Sequence, residues 1–104
     1  MPDGYRILLS KRVAKDLQSI SDHIAKDSER NAAGMIERIL VAIESLKVFP
    51  NRNVIDGQHP KLRHPVRSLP VQSYMVFFRV IDEHRIVRIL RVRHGAMRRL
   101  KWYD

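Results

Sequence analysis

Three consecutive apolar runs decide the fold of this chain: Val66–Val71 (VRSLPV), Tyr74–Ile81 (YMVFFRVI) and Ile86–His94 (IVRILRVRH). Each run has the length and the β-branched and aromatic content of a β-strand. Only residues 72–73 and 82–85 separate them, and linkers this short join neighbouring antiparallel strands. The second half of the chain is therefore predicted to form a three-stranded antiparallel meander.

Positive charge is concentrated on these strands. The chain has 104 residues, with 20 Lys and Arg against 11 Asp and Glu, and a formal net charge of +9. Residues 61–101 contain eleven Lys or Arg and only two acids, Asp82 and Glu83, both in the predicted turn. One interpretation is a basic surface that aids solubility. A cationic bias on strands favours an acidic partner surface, either nucleic acid or protein.

Upstream of the strands, the sequence predicts one further strand and two helices. Residues 5–9 (YRILL) have strand composition, and Ser10 follows as a predicted N-cap whose hydroxyl accepts from the first free amides. Asp16 and its charged neighbours are predicted to face water. Ser28 is the predicted N-cap of the second helix, which Pro50 stops. The apolar stripes are Val13, Leu17, Ile20 and Ile24 in the first helix and Ala32, Met35, Ile36, Ile39, Leu40, Ile43 and Leu46 in the second.

The element order predicts the fold class. The short link between the helices predicts an antiparallel helical hairpin. Because both helical stripes and one sheet face need burial, we expect a small single α+β domain over residues 1–104. Its order is β-α-α-β-β-β, with an antiparallel-dominated sheet packed on the N-terminal helical hairpin. The first strand could pair in either direction, residues 51–65 are a predicted loop, and Gly34 is expected to serve close helix packing.

Several kinds of site are excluded by composition and spacing. The sequence has no cysteine, which excludes disulfides and thiolate metal sites and suits a reducing cytoplasm. No apolar run approaches the ~20 residues of a membrane span, so we expect a cytoplasmic protein without a membrane partner. The five histidines lack ligand-pair spacing and the four glycines are not grouped. We therefore expect no metal and no cofactor.

The remaining candidates for chemistry are arginines and one histidine. Metal-independent RNA cleavage needs a base, cations that stabilise the phosphate, and an acid. The strand arginines could supply the cations and His94 a titrating imidazole, although each arginine could equally be an ordinary exposed strand residue. Strand alternation divides the last strand into two faces, with Arg91 and Arg93 on one and Leu90, Val92 and His94 on the other. Arg93 and His94 therefore share a pocket only if the strand ends or twists there.

With these features the chain resembles the RelE/ParE superfamily of toxins from bacterial type II toxin–antitoxin modules, over nearly its whole length. The order and spacing of the matching segments carry the resemblance. They are YRILLS at 5–10, Asp16-Leu17 with Ile20 and Ile24, residues 32–46 with the stop at Pro50, VRSLPV at 66–71, YMVFFRV at 74–80 and ILRVRHG at 89–95.

The resemblance implies a toxin held in a hetero-oligomer with a cognate antitoxin, whose inhibitory segment often folds on binding. It also implies one of two targets, since RelE-like members cut messenger RNA on the ribosome and ParE-like members poison DNA gyrase. The nucleases usually carry basic residues before the tyrosine matching Tyr74 and an arginine just after it. Here Met75 follows, Arg67 is the one basic residue of the preceding strand, and residues 98–103 do not match the nuclease spacing.

The lead prediction is therefore a ParE-like toxin that stops growth by poisoning gyrase. The alternative is a RelE-like, metal-independent endoribonuclease that cuts messages on the ribosome, so whether the chain is an enzyme stays open. A third interpretation is a degenerate toxin that only binds its antitoxin. Candidate contacts with gyrase or antitoxin are Arg67, Arg79, Arg88, Arg91 and Arg93, and candidate nuclease residues are Arg67, Arg79, Arg93 and His94.

Overall fold

The structure is a computed structural model that describes residues 4–53, 55 and 63–95. All six predicted elements are present in the predicted order. They are β1 (Arg6–Leu9), α1 (Lys11–Ala25), α2 (Glu29–Ser45), β2 (Val66–Val71), β3 (Tyr74–Ile81) and β4 (Ile86–His94), with 3-10 turns at Pro50–Arg52 and Asp82–His84. Residues 54 and 56–62 of the predicted loop, and the C-terminal residues 98–103, lie outside the described residues.

The four strands form one mixed sheet in the order β1-β4-β3-β2. The two hairpins β2–β3 and β3–β4 are antiparallel, as the short linkers predict. β1 lies at the edge and pairs in parallel with β4, from Arg6 opposite Ile86 to Leu9 opposite Ile89. The predicted antiparallel-dominated sheet is confirmed, and the direction that the sequence left open for β1 is parallel.

One face of the sheet packs against the helical hairpin and forms the core. Val76 and Phe78 of β3 are completely buried there, against a helical side that includes Val13 and Ile39. Each such side chain contributes about 1.5–3 kcal/mol through burial. The predicted stripes make this contact, except that Leu40 is 43% exposed, because it lies at the rim of the α2 stripe.

The two predicted helix caps have different outcomes. The Ser28 hydroxyl accepts from the amide of Asn31 at 3.1 Å, so this N-cap is confirmed. Ser10 occupies the N-cap position of α1, but its side chain makes no capping bond. Its hydroxyl instead donates to the carbonyl of Leu90 at 2.9 Å, so the predicted capping role is wrong. The unpaired edge of β4 offers an acceptor that competes with the helix amides.

The end of α2 carries strained backbone. The helix ends at Ser45, and Pro50 starts a 3-10 turn five residues later. Phe49, between them, has φ 50° and ψ 52°, the left-handed conformation that bulky residues rarely adopt, and its side chain is 69% exposed. The helix therefore ends before Pro50, and the left-handed backbone of Phe49 changes the direction of the chain just ahead of the proline.

Gly34 lies within α2 and does not serve close packing. A Cβ added at Gly34 would meet no atom within 4 Å beyond its own helix, so the packing role expected from the sequence is wrong. The Gly34→Ala variant should therefore be more stable by about 1 kcal/mol, since alanine restricts the unfolded chain and costs no contact. Urea unfolding at pH 7 measures the difference.

The neighbouring Ala33 provides the matched control for this prediction. Ala33 is exposed on the same helix, so Ala33→Gly should cost about 1 kcal/mol by the same mechanism. If Gly34→Ala were also destabilising, a side chain at position 34 would clash with a neighbour, contrary to the open space found there.

Candidate functional site

The edge of β4 is the starting point of the candidate site. β1 pairs only with residues 86–89 of β4, so within the described part of the chain no strand lies beside the following residues on that side. Ser10 and Asp16 take the place of a strand there. The Ser10 amide donates to Ile89 O at 3.0 Å, and the Asp16 carboxylate accepts from the amide of Val92 at 2.9 Å. The beginning of α1 therefore continues the pairing that β1 leaves unfinished.

Asp16 also holds Arg91 in a two-pronged ion pair. Oδ2 of Asp16 accepts from Arg91 Nε at 2.8 Å and Oδ1 accepts from Nη2 at 2.9 Å. The side chains are only 12% and 18% exposed, and the hydrogen bond to Asp16 raises the pKa of Arg91. The prediction that Asp16 faces water is wrong, because the backbone and the guanidinium of β4 draw the carboxylate inward. The positive charge of Arg91 is thus matched within the chain.

A bulge in β4 changes which side chains share a face. Phe78 is opposite Ile89, whereas Phe77 is opposite Arg91, so Leu90 is an extra residue in β4. Leu90 packs beside Phe77 on the outer face of the sheet, which points away from the helices. Val92 lies in the main core. The predicted placement of Leu90 and Val92 on one face is therefore wrong, because strict alternation fails at the bulge.

Beyond the bulge, Arg93 and His94 line the same cleft. This cleft has a volume of about 450 Å³ and lies between α1 and the end of β4. The His94 ring meets Tyr74 edge to face, with ring centroids 5.4 Å apart. The residues that line the cleft are Asp16, Ser19, Ile20, His23, Tyr74, Arg91, Val92, Arg93 and His94. The sequence required β4 to end or twist for Arg93 and His94 to share a pocket, and β4 does end at His94.

The cleft contains groups that can bind an oxyanion. Guanidinium and imidazole groups can hold a phosphate or a carboxylate, and an imidazole can move a proton. Asp16 is already bonded to Arg91 and to Val92, and His23 and His94 are the two imidazoles among the lining residues. Sequence analysis missed His23, because its position depends on how α1 packs against β4.

The other candidate arginines lie elsewhere on the sheet. Arg67 of β2 donates from Nη1 to the carbonyl of Asn53 at 2.7 Å. Arg79 and Arg88 lie directly opposite each other on β3 and β4. None of these three lines the cleft. Of the four candidate nuclease residues, the structure thus brings together Arg93 and His94 and leaves Arg67 and Arg79 outside.

A hydrogen-bonded cluster joins β1 to the opposite end of the β3–β4 hairpin. Tyr5 donates its hydroxyl to Asp82 Oδ1 at 2.6 Å, and Asn51 donates to the same oxygen at 2.9 Å. The guanidinium of Arg85 lies 5.1 Å from the centre of the Tyr5 ring. The bond from Tyr5, followed by that from Asn51, lowers the pKa of Asp82. The same bond raises the pKa of Tyr5.

The described residues offer neither a metal site nor a membrane span. Among them, no group of three or more His, Asp or Glu side chains could hold a metal ion. No helix in this part of the chain is long and apolar enough to cross a membrane.

The Asp16–Arg91 pair should be essential for stability. Asp16→Asn removes the charge that balances a mostly buried guanidinium, so we expect a loss of about 2–4 kcal/mol in the free energy of unfolding. Asp22→Asn is the matched control on the same helix, since its exposed bond to Gln18 should contribute less than about 0.5 kcal/mol. Equal losses for the two variants in urea unfolding would contradict this assignment.

The Tyr5–Asp82 bond should make stability depend on pH. Because the pKa of Asp82 is lowered in the folded chain, its ionised carboxylate stabilises the fold at pH values above its unfolded pKa of about 4. This stabilisation is lost as the pH falls through the pKa of Asp82 in the folded chain. Because the pKa of Tyr5 is raised in the folded chain, its protonated hydroxyl stabilises the fold below about pH 10. This stabilisation is lost as the pH rises through the pKa of Tyr5 in the folded chain. Tyr5→Phe should therefore unfold at lower urea than the parent chain at pH 7. The gap should narrow as the pH falls below about 4, and a gap that does not change with acidification would argue against a bond to the ionised carboxylate.

Comparison with known proteins adds a family match. The model of the family described as the ParE toxin of the type II toxin–antitoxin system, parDE, matches residues 7–99. This range contains nearly all of β1 and every later element of the fold. A comparison with curated proteins finds no significant match.

Solved structures share the fold. The chain is similar to a structure of the chromosomal ParDE system from P. aeruginosa, with 21% identity, a TM-score of 0.72, and coverage of 88% of this chain and 97% of that one. It is also similar to the RelBE2 toxin–antitoxin complex from Mycobacterium tuberculosis, with 22% identity, a TM-score of 0.60, and coverage of 90% and 94%. The archaeal RelE–RelB complex from Pyrococcus horikoshii OT3 matches at 18% identity and a TM-score of 0.63, with coverage of 88% and 96%.

Proposed function

Because the chain belongs to the ParE toxin family of type II toxin–antitoxin systems, we propose that it stops bacterial growth by binding and poisoning DNA gyrase. The family match over residues 7–99 is the observation that carries this proposal. We further propose that a cognate antitoxin binds the toxin and holds it inactive in a cytoplasmic hetero-oligomer. Two of the similar structures are toxin–antitoxin complexes, which supports this assignment.

The outer face of the sheet supports a protein target over an RNA substrate. Met75, at the position after Tyr74 where the resemblance leads us to expect an arginine in nucleases, packs with Phe77 and Val66 in an apolar cluster. A thioether in that cluster supplies no positive charge to a scissile phosphate. The position after Tyr74 therefore lacks the charge expected of a nuclease, which supports the gyrase proposal over the alternative.

The residues of the cleft favour one second candidate function. Arg93, His94 and His23 line the same volume, and this grouping of a cation with two imidazoles favours metal-independent RNA cleavage as the alternative. General acid–base catalysis by a histidine contributes on the order of 10²–10⁴-fold to a rate. Loss of the His94 imidazole would therefore abolish toxicity if the chain were a nuclease and would leave it nearly intact if gyrase is the target.

Induced expression without antitoxin separates these functions. We expect growth arrest with DNA double-strand breaks and intact messages, both in the parent chain and in His94→Ala. His84→Ala is the matched control, since His84 lies in the β3–β4 turn and outside the cleft. Message fragments cut in phase with codons, lost in His94→Ala and kept in His84→Ala, would overturn the gyrase proposal. Normal growth with folded protein would indicate a degenerate toxin.

A further inference from the structure

Two arginines lie face to face on the outer side of the sheet. Arg79 of β3 is directly opposite Arg88 of β4. Their neighbours in the strands, Val80 and Val87, point into the core, so alternation places both arginines on the outer face. Arg79 is half-buried, whereas Arg88 is exposed. The two guanidinium groups therefore extend from adjacent strands into the same region of the outer face.

This arrangement is unfavourable in the isolated chain. Directly opposite residues have Cβ atoms about 4.5–5.5 Å apart, and like charges in such a pair repel. Arg79 Nε is buried and has no hydrogen-bond partner within the described part of the chain. A buried donor without an acceptor loses its hydration and gains nothing in return. One oxyanion between the two guanidinium groups would remove both penalties.

Most side chains beside the pair are apolar. In the same row across the sheet, Leu8 is the neighbour of Arg88 and Val66 is the neighbour of Arg79. Leu8 is 41% exposed, and Val66 is buried. One flanking row pairs Ile81 with Ile86 and ends at the sheet edge in the exposed Arg6 of β1. The other contains the Phe77–Leu90 contact.

These surroundings identify the kind of anion. A nucleic-acid strand brings a series of phosphates and is bound by a groove of several cations with exposed stacking rings. Here the two opposed guanidinium groups have apolar neighbours in their own row, and one further cation, Arg6, lies a row away at the sheet edge. This arrangement suits a single acidic side chain flanked by apolar residues. A protein segment provides that pattern.

We propose that Arg79 and Arg88 form a binding site for one side-chain carboxylate of the antitoxin, an aspartate or glutamate with apolar neighbours. The inference rests on the proposed function, because the antitoxin is the partner that supplies this segment. Because Arg79 Nε is buried in the free chain, the Arg79 side chain turns outward on binding, donates from Nε to the carboxylate and shares it with the guanidinium of Arg88.

Arginine Nε–Hε resonances of the full-length protein test the site directly. The probes are a blocked leucine–glutamate–leucine tripeptide and, separately, a uridine hexanucleotide. We expect the tripeptide to shift the Arg79 Nε–Hε resonance, and Arg88→Gln to weaken this binding at least about tenfold. Arg12→Gln removes the same charge from an exposed position on α1 and should leave binding unchanged. A response only to the hexanucleotide, or to neither probe, would overturn the proposal.

A charge reversal gives a second test that needs no ligand. Arg88→Glu places a carboxylate opposite Arg79, so the midpoint of thermal unfolding should rise by about 4 °C, and tripeptide binding should be lost. Arg12→Glu should change neither quantity. A lower midpoint for Arg88→Glu together with unchanged tripeptide binding would also overturn the proposal.

Failure of this inference can be told apart from failure of the proposed function. Both tests measure the isolated toxin, whereas the target is assigned by DNA breaks and message integrity after induction. Gyrase poisoning combined with an unresponsive Arg79 would leave the proposed function standing and remove the carboxylate site. A responsive Arg79 in a chain that does not stop growth would retain the site and reject the gyrase target.

Discussion

The carboxylate of Asp16 is the interaction on which the geometry of the sheet edge depends. It accepts from the backbone of Val92 and from the side chain of Arg91, and so fixes α1 against β4 where β1 has ended. An unpaired strand edge would otherwise expose amides to solvent or to other chains. The cleft beside it takes one wall from α1 and the other from β4. This ion pair therefore holds the two walls of the cleft together.

The elements of the fold could be predicted from the sequence, because periodicity and turn length are local properties. The features that could not be predicted all depend on distant partners. Ser10 turns away from its helix towards Leu90, and Asp16 turns away from water towards Arg91, 75 residues later in the chain. No local pattern reports that β1 is shorter than β4. That length difference creates the free acceptors and donors that redirect both side chains.

The candidate site divides in the same way. The sequence identifies the charged side chains directly. The four-residue link between β3 and β4 fixes the register from the turn to the bulge, and this register places Arg79 opposite Arg88. Beyond Leu90 the register shifts by one residue, so simple counting along the strands fails for Arg93. Tertiary packing alone brings His23 from α1 to the cleft. Register was thus predictable next to the turn and lost beyond the bulge.

The parallel pairing of β1 with β4 has a consequence for the order of events during synthesis. The first strand of the sheet finds its partner only after residues 86–89 have been made. At about 5–20 residues per second, that delay lasts on the order of several seconds. Throughout this interval the N-terminal helices lack the sheet that buries their apolar faces. The nascent chain therefore cannot complete its sheet until translation has passed the last strand, so its fold is finished only at the end of synthesis.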